Sequence, residues 1–253
     1  MPSLLSKLHE QVVSAIGNTA KPQRIGIAFS GGVDSSLLAK VCSDLGFEVI
    51  LLTVGFEGSH DIEFSKKIAS ILKLKHVIYP ITGGEFHDVA SEVRGAIGTD
   101  NLSWNENCIA FHYVSKLAKK HGISMVLTAN GIDELFCGYN AYREVVEEGK
   151  EAIMELMESK LANEVEMMKA VNRISSKYYV KILQPLLSAG FVEFAKSVPI
   201  KEKIRGRDDL VRKHIIRQLA LSVGVPEEAA LKRKKALQYG SLIHKNLLRL
   251  GKT

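Results

Sequence analysis

Cysteine is scarce: Cys42, Cys108 and Cys137 are an odd, widely spaced set without a C-x-x-C pair. That excludes a disulfide framework, a zinc knuckle or an iron–sulfur site, and leaves buried thiols as the reading. No apolar run approaches the roughly 18–20 residues of a membrane helix. The opening segment, Met1 to Glu10, lacks the basic patch, apolar core and cleavage site of a signal peptide; its leucines fit the buried face of a short surface helix. A cytoplasmic protein without a membrane partner is the expectation. No repeat with a period of about 20–50 residues is present, which excludes a solenoid. What is there is ordinary for a folded chain: 46% hydrophobic and 25% charged residues, which excludes disorder. The 253 residues suffice for one large α/β domain or two small ones.

The net charge of +6 is uneven. Residues 201–253 carry 14 Lys and Arg against 5 Asp and Glu, a balance of +9, which leaves −3 for the remainder. A basic C-terminal fifth on a slightly acidic body suits a polyanion, nucleotide phosphate or nucleic acid, or a plainly solvated face.

Residues 1–20 read as a helix. A strand over 24–29 is followed by the turn Ser30-Gly31-Gly32 and a helix over 33–45, with Val33, Leu37, Leu38 and Val41 at helical spacing and Gly46 as terminator. Strands over 48–54, 76–81 and 124–128 alternate with helices beginning at Asp61 (a candidate N-cap), over 85–95 and over 106–121. This alternation predicts an α/β fold with a parallel sheet covered by helices on both faces, binding its ligand at the carboxyl ends of the strands. Past Tyr142 strand signals stop, and helical patterns over 143–171, 174–183, 190–197 and 209–223, with breaks at Pro185, Pro199 and Pro226, predict an all-helical C-terminal part.

The strongest motif is S-G-G-V-D-S-S over 30–36, between the first strand and its helix. Two glycines let the backbone turn tightly and approach an anion, Ser30, Ser35 and Ser36 add hydroxyls, and the helix N-terminus aims N–H groups at the same point. That arrangement suits pyrophosphate. Asp34 would repel bare phosphate, so it makes sense with Mg²⁺ between them. At the end of the fourth strand, L-T-A-N-G-I-D-E-L-F-C-G-Y over 127–139 carries Asp133 and Glu134 to the same sheet edge, where Asp34 and Asp133 form a candidate Mg²⁺ pair. A third segment, L-K-R-K-K-A-L-Q-Y-G-S over 231–241, supplies point charges for phosphate. Gly251-Lys252-Thr253 superficially ends a Walker A loop, but Asn246 occupies the first-glycine position, so it is read as chance.

Together these segments resemble the synthetase half of asparagine synthetases, within the PP-loop ATP pyrophosphatase superfamily, over roughly residues 24–247. The loop at 30–36 matches S-G-G-x-D-S-S, residues 56–61 (F-E-G-S-H-D) are similar to a G-x-x-D segment, and 127–139 to L-S-G-E-G-S-D-E-L-F-G-G-Y. Q-P-L-L-S at 184–188, V-E-F-A at 192–195 and Val198-Pro199 follow in family order, and R-K-K at 233–235 falls where the family has R-x-K. The resemblance implies an adenine nucleotide alpha hydrolase-like fold, with 1–23 as helix and linker, 24–142 as the ATP-binding core and 143–253 as a helical part completing the domain. It implies that a carboxylate, aspartate first, attacks the α-phosphorus of ATP, and that ammonia or an amine then displaces AMP. Carried over, Ser30, Gly31, Gly32, Ser35 and Ser36 hold pyrophosphate, Asp34 and Asp133 hold Mg²⁺, and Ala28, Val54, Thr128, Ala129, Asn130 and Gly131 line the nucleotide pocket. Lys235 stabilises negative charge during adenylation.

Four departures accompany the match. The length leaves no room for the glutamine-hydrolysing domain, and Pro2 stands where its cysteine nucleophile would be, so nitrogen is expected from solution, a separate glutaminase or an amine. Asn130 replaces the family's glutamate, and an amide is no base, which moves that role to Glu134 as the candidate. Ser188 replaces an aspartate, and Lys181 and Leu183 stand where a glutamate and an arginine occur. Two other readings compete: a tRNA-modifying PP-loop enzyme using the basic tail as a nucleic-acid footprint, and a nucleotide-binding protein that has lost acceptor chemistry.

Overall fold

A computed structural model of the chain describes residues 2–21, 23–232 and 237–250, with side chains at all of these except 237 and 238. The sequence-assigned cations Arg233, Lys234 and Lys235, and the Gly251-Lys252-Thr253 end, lie outside the described residues. The chain runs through α1 (Leu4–Thr19), β1 (Arg24–Ala28), α2 (Val33–Asp44), β2 (Glu48–Phe56), α3 (His60–Leu72), β3 (Lys75–Ile81), α4 (Gly83–Ile97), α5 (Leu102–Lys120) and β4 (Met125–Leu127). After β4 come α6 (Ile132–Leu135), α7 (Ala141–Val145), the long α8 (Lys150–Ser176) and β5 (Lys181–Leu183). Then follow α9 (Ala189–Ser197), α10 (His214–Ser222), α11 (Glu227–Ala230), α12 (Leu237–Gly240) and α13 (Ile243–Leu250).

The strands form one parallel sheet in the order β3-β2-β1-β4-β5. The chain walks outward from β1 to β2 and β3, then returns to the other side of β1 for β4 and β5. The order therefore reverses between β1 and β4, where open α/β sheets leave a crevice at the carboxyl ends of their strands. Alternate residues feed two cores, as the two-residue period of a strand requires. Ile25, Ile27, Val49, Leu51 and Leu127 pack with α1, α2, α9 and α10 on one side. Ile50, Leu52, Val54, Val126 and Ile182 pack with α4, α5 and the C-terminal half of α8 on the other.

Local signals explain where α1 and α5 begin. Ser3 caps α1 by accepting the Ser6 N–H at 3.1 Å, and Asn101 caps α5 by accepting that of Trp104 at 3.1 Å. Leu8, Val12, Ala15 and Ile16 form the buried stripe of α1.

Two expectations are corrected. The segment after Tyr142 is not all helical: β5 pairs with β4 and completes the sheet, so the helical pattern over 174–183 divides into the end of α8, a turn and this strand. Ser59, not Asp61, is the N-cap of α3; Asp61 lies in its first turn and is buried. The three cysteines are free and buried, and burial pushes each thiol up to about 12. Among the described residues no helix is long and apolar enough to cross a membrane.

Candidate active site

β1 delivers the chain to the loop at 29–32, and α2 starts directly after it. Gly31 has φ +78°, a left-handed conformation, and a Cβ there would stand 3.1 Å from the Ser65 Cα, so this turn requires glycine. Ser30 Oγ accepts the Gly32 N–H at 3.4 Å, and Ser35 Oγ accepts the Ser30 N–H at 3.4 Å. The loop is braced from beneath. The Thr53 hydroxyl donates to the Phe29 carbonyl at 2.6 Å, so its 2.8 Å contact with His76 Nε2 requires the ring nitrogen to donate. Burial, with Lys66 adding to it, pushes His76 down to about 4, and a neutral imidazole suits that bond.

Facing the loop, Asp34 on α2 and Asp133 on α6 both pair with Lys213. Lys213 Nζ lies 2.6 Å from Asp34 Oδ2 and 3.0 Å from Asp133 Oδ1, with its side chain 1% exposed. Burial alone would lower its pKa, but Asp133 and Asp34 beside it hold it above its ordinary value. Lys213 and Arg212 both adopt positive φ, at 55° and 49°, a strained conformation for residues with side chains. Buried arginines hold that strain: Arg212 donates to the Gly138 carbonyl at 3.2 and 3.1 Å, and Arg217 to the Arg212 carbonyl at 2.8 Å. Gly138 is itself obligatory, because a Cβ there would lie 1.9 Å from Asp133 Oδ1.

An ammonium standing between two carboxylates tests the expected metal position, and the donor set passes. Hard carboxylate oxygens attract a cation at this point, and Mg²⁺ usually takes one or two carboxylates and completes its shell with water and substrate phosphate. Among the described residues no group of three or more His, Cys, Asp or Glu side chains is arranged to hold a metal without such help.

The cavity between these groups measures about 310 Å³. One part is apolar, with Leu52, Val54, Phe111 and Val114; the other is polar, with the loop, the Asp34–Asp133–Lys213 cluster and residues of α8. Of the sequence-predicted residues, Ala28, Ser30, Gly32, Asp34, Ser35, Val54, Thr128, Ala129, Asn130, Asp133 and Glu134 line it. Gly31, Ser36 and Gly131 sit behind that wall: the Ser36 hydroxyl is buried and donates to the Gly31 carbonyl at 3.2 Å. Glu134 is buried too, accepting the Gly131 N–H at 3.0 Å through one oxygen and the Tyr139 hydroxyl through the other.

Several lining residues have no counterpart among the sequence-stated assignments. Lys213 belongs to the basic tail, which gave charge but no position. Glu164 and Lys160 project from α8, and Asn130 Nδ2 donates to Glu164 Oε1 at 2.5 Å. Lys232 places its Nζ 3.2 Å from the centroid of the Phe64 ring, and His60 Nδ1 lies 3.2 Å from Asp61 Oδ1.

A family model described as asparagine synthase matches residues 8–181. This chain belongs to the asparagine synthase family. A putative glutamine-hydrolysing asparagine synthetase of Methanocaldococcus jannaschii is 32% identical, over 90% of this chain and 48% of its own length. A glutamine-hydrolysing asparagine synthetase of Bacillus subtilis is 31% identical over 47% of this chain and 19% of its own, and that of Sandersonia aurantiaca 25% identical over 86% and 43%. The chain thus spans at most about half the length of these relatives. Among solved structures, an NMN synthetase from Francisella tularensis superposes with a TM-score of 0.49 at 14% identity, covering 93% of this chain and 76% of that one. In this asparagine synthase family member both family motifs, at 30–36 and 127–139, meet at one cavity.

Proposed function

We propose that the protein is an ATP-dependent carbon–nitrogen ligase of the asparagine synthetase type. One observation supports the reading: in a member of this family, the glycine–serine loop at the N-terminus of α2 and the carboxylates of Asp34 and Asp133, bridged by the buried Lys213, line one cavity. The Ser30 and Ser35 hydroxyls, the loop N–H groups and the α2 terminus would bind the β- and γ-phosphates, where an anion is favoured. The apolar wall of Leu52, Val54 and Phe111 suits the adenine ring. Asp34 and Asp133 would hold Mg²⁺, which when bound screens phosphate charge and eases departure of pyrophosphate. Lys213 would then turn its ammonium from the carboxylates to the phosphate oxygens.

A substrate carboxylate, L-aspartate first, attacks the α-phosphorus, and the bond to pyrophosphate breaks. A nitrogen nucleophile, from solution, an amine or a separate glutaminase, then attacks the acyl carbon and AMP leaves. Lys235 remains a sequence-based assignment for charge stabilisation at the α-phosphate. Half of the basic residues otherwise available to a nucleic acid in the 201–213 stretch, Lys203, Arg212 and Lys213, are buried, which favours the ligase over a tRNA-modifying enzyme.

The test is exchange of labelled pyrophosphate into ATP. Exchange should require Mg²⁺ and one carboxylate, and Lys235→Ala should lower it by about 10²- to 10³-fold while leaving ATP binding measurable. Absence of exchange with every amino acid and dicarboxylate tried would overturn the reading.

A further inference from the structure

Among the described residues three lysines line the cavity, and two of them belong to its phosphate side. Lys213 pairs with Asp34 and Asp133, and Lys232 lies over the ring of Phe64, whose edge approaches Gly31 of the loop. Lys160 stands elsewhere, half-buried on α8. Its Nζ is 5.6 Å from the centroid of the Tyr139 ring, and the Tyr139 hydroxyl donates to Glu134, so Lys160 is tied to the α6 wall. It forms no ion pair among the described residues. Glu164, one turn further along the same helix face, accepts from Asn130 Nδ2 and is not within ion-pair distance of Lys160. An ammonium resting on an aromatic face keeps its N–H donors for another acceptor.

The chemistry of a ligase says what that acceptor belongs to. In-line displacement at the α-phosphorus puts the attacking carboxylate opposite the departing pyrophosphate. With pyrophosphate assigned to the loop and the Asp34–Asp133 pair, the acid substrate approaches from the side of α6 and α8. The rest of that substrate then faces Lys160, with Ser103, Asn107 and Asn163 as uncharged polar neighbours. Those neighbours can serve many substituents, but the ammonium discriminates. A neutral group seated against it would leave a partly dehydrated charge unpaired, whereas an anion forms a charge-assisted hydrogen bond with it.

We infer that Lys160 determines acceptor specificity: it binds a second anionic group at the far end of the acid substrate. The substrate then carries two acidic groups, one that is adenylated and one that Lys160 holds, and acids with a single carboxylate are rejected. The inference rests on the ligase reading and adds to it a residue and a rule of selection. Loss of one hydrogen bond to a charged group in such a place corresponds to about 10- to 100-fold in affinity.

The test uses pairs of acids that differ in the second carboxylate alone: L-aspartate with β-alanine, L-glutamate with γ-aminobutyrate, and succinate with succinamate. Pyrophosphate exchange with Mg·ATP is measured for wild type, Lys160→Met and Lys160→Arg. Wild type should use a diacid and discriminate against its partner. Lys160→Met should raise KM for that diacid by about 10- to 100-fold, with the partner acid and ATP affinity unaffected, and Lys160→Arg should keep the preference. A structural role for Lys160 would instead lower exchange equally with both members of a pair, and that result overturns the inference. So does a wild-type KM in Lys160→Met, or wild-type exchange with the monoacids as good as with the diacids; each leaves the ligase standing. If no acid supports exchange, the ligase reading fails, and calorimetric titration with succinate and succinamate decides the anion subsite. Succinate bound in preference by wild type and Lys160→Arg, with the preference lost in Lys160→Met, supports it; no preference in wild type overturns it.

Discussion

Lys201, Lys203 and Lys213 count alike in the basic tail, but burial divides them. Lys201 is exposed, Lys213 neutralises two carboxylates, and Lys203 is fully buried with Nζ donating to the Ala195 carbonyl at 2.6 Å and 5.5 Å from the Phe136 ring centroid. Burial pushes Lys203 down to about 8 from an ordinary 10.5. As pH falls from 10.5 to 8, the unfolded chain takes up a proton that the folded chain refuses, so stability declines through that window and stays lower below it. Lys203→Met should remove this penalty: at pH 7 the variant should match or exceed wild type by about 1–3 kcal/mol, and the advantage should shrink toward pH 10. Urea midpoints at the two pH values check it, and a less stable variant at pH 7 would refute it. The Ala195 carbonyl keeps the Val198 N–H at 3.2 Å after the change. At this scale the sequence was legible where a motif is contiguous, as with Ser30, Asp34 and Asp133. It was silent on Lys213 and Glu164, which reach their partners across 179 and 34 residues through packing that no local pattern encodes.

Elements were legible in proportion to their length and period. β1 and β2 are apolar runs bounded by turn signals and α2 has 3.6-residue spacing, so all three were read nearly to their ends, whereas Lys181–Leu183 is too short to show a pattern and becomes a strand only because β4 offers an edge. The C-terminal elements depend on such tertiary ties, and Arg217 on α10 is the chief one. Its buried guanidinium and Nε donate to the carbonyls of Val211, Arg212, Ala230 and Lys232 at 2.6–2.9 Å. It thereby joins the segment carrying Lys213 to the one carrying Lys232, both of which line the cavity. Arg217→Met should cost about 2–5 kcal/mol by leaving several buried acceptors short of a donor. ATP binding should weaken along with stability, and calorimetric titration beside thermal unfolding reads both. Loss of stability with unaltered ATP affinity would separate Arg217 from the site.

For the whole molecule, α8 decides whether the 24–142 and 143–253 segments behave as two units or one. Its 27 residues extend about 40 Å. Ile153, Met157 and Leu161 enter the core shared with α1 and α2, and Met168, Val171 and Ile174 enter the core shared with α4 and α5. The sheet binds them again, since β5 comes from the second segment and pairs with β4 from the first. Neither segment can bury its apolar surface without the other, so unfolding should be a single cooperative step. The one tryptophan, Trp104, is a local reporter because its indole is bonded to α8, and far-UV circular dichroism reports all helices. Met157→Ala and Met168→Ala remove buried volume from opposite cores, each costing about 2–5 kcal/mol. Both should shift the fluorescence and dichroism transitions together and by the same amount within each variant. Separate transitions, with Met157→Ala moving the dichroism while Trp104 keeps its wild-type midpoint, would mean that the two cores fold independently. The cavity would then lie at a joint between them instead of inside one rigid body.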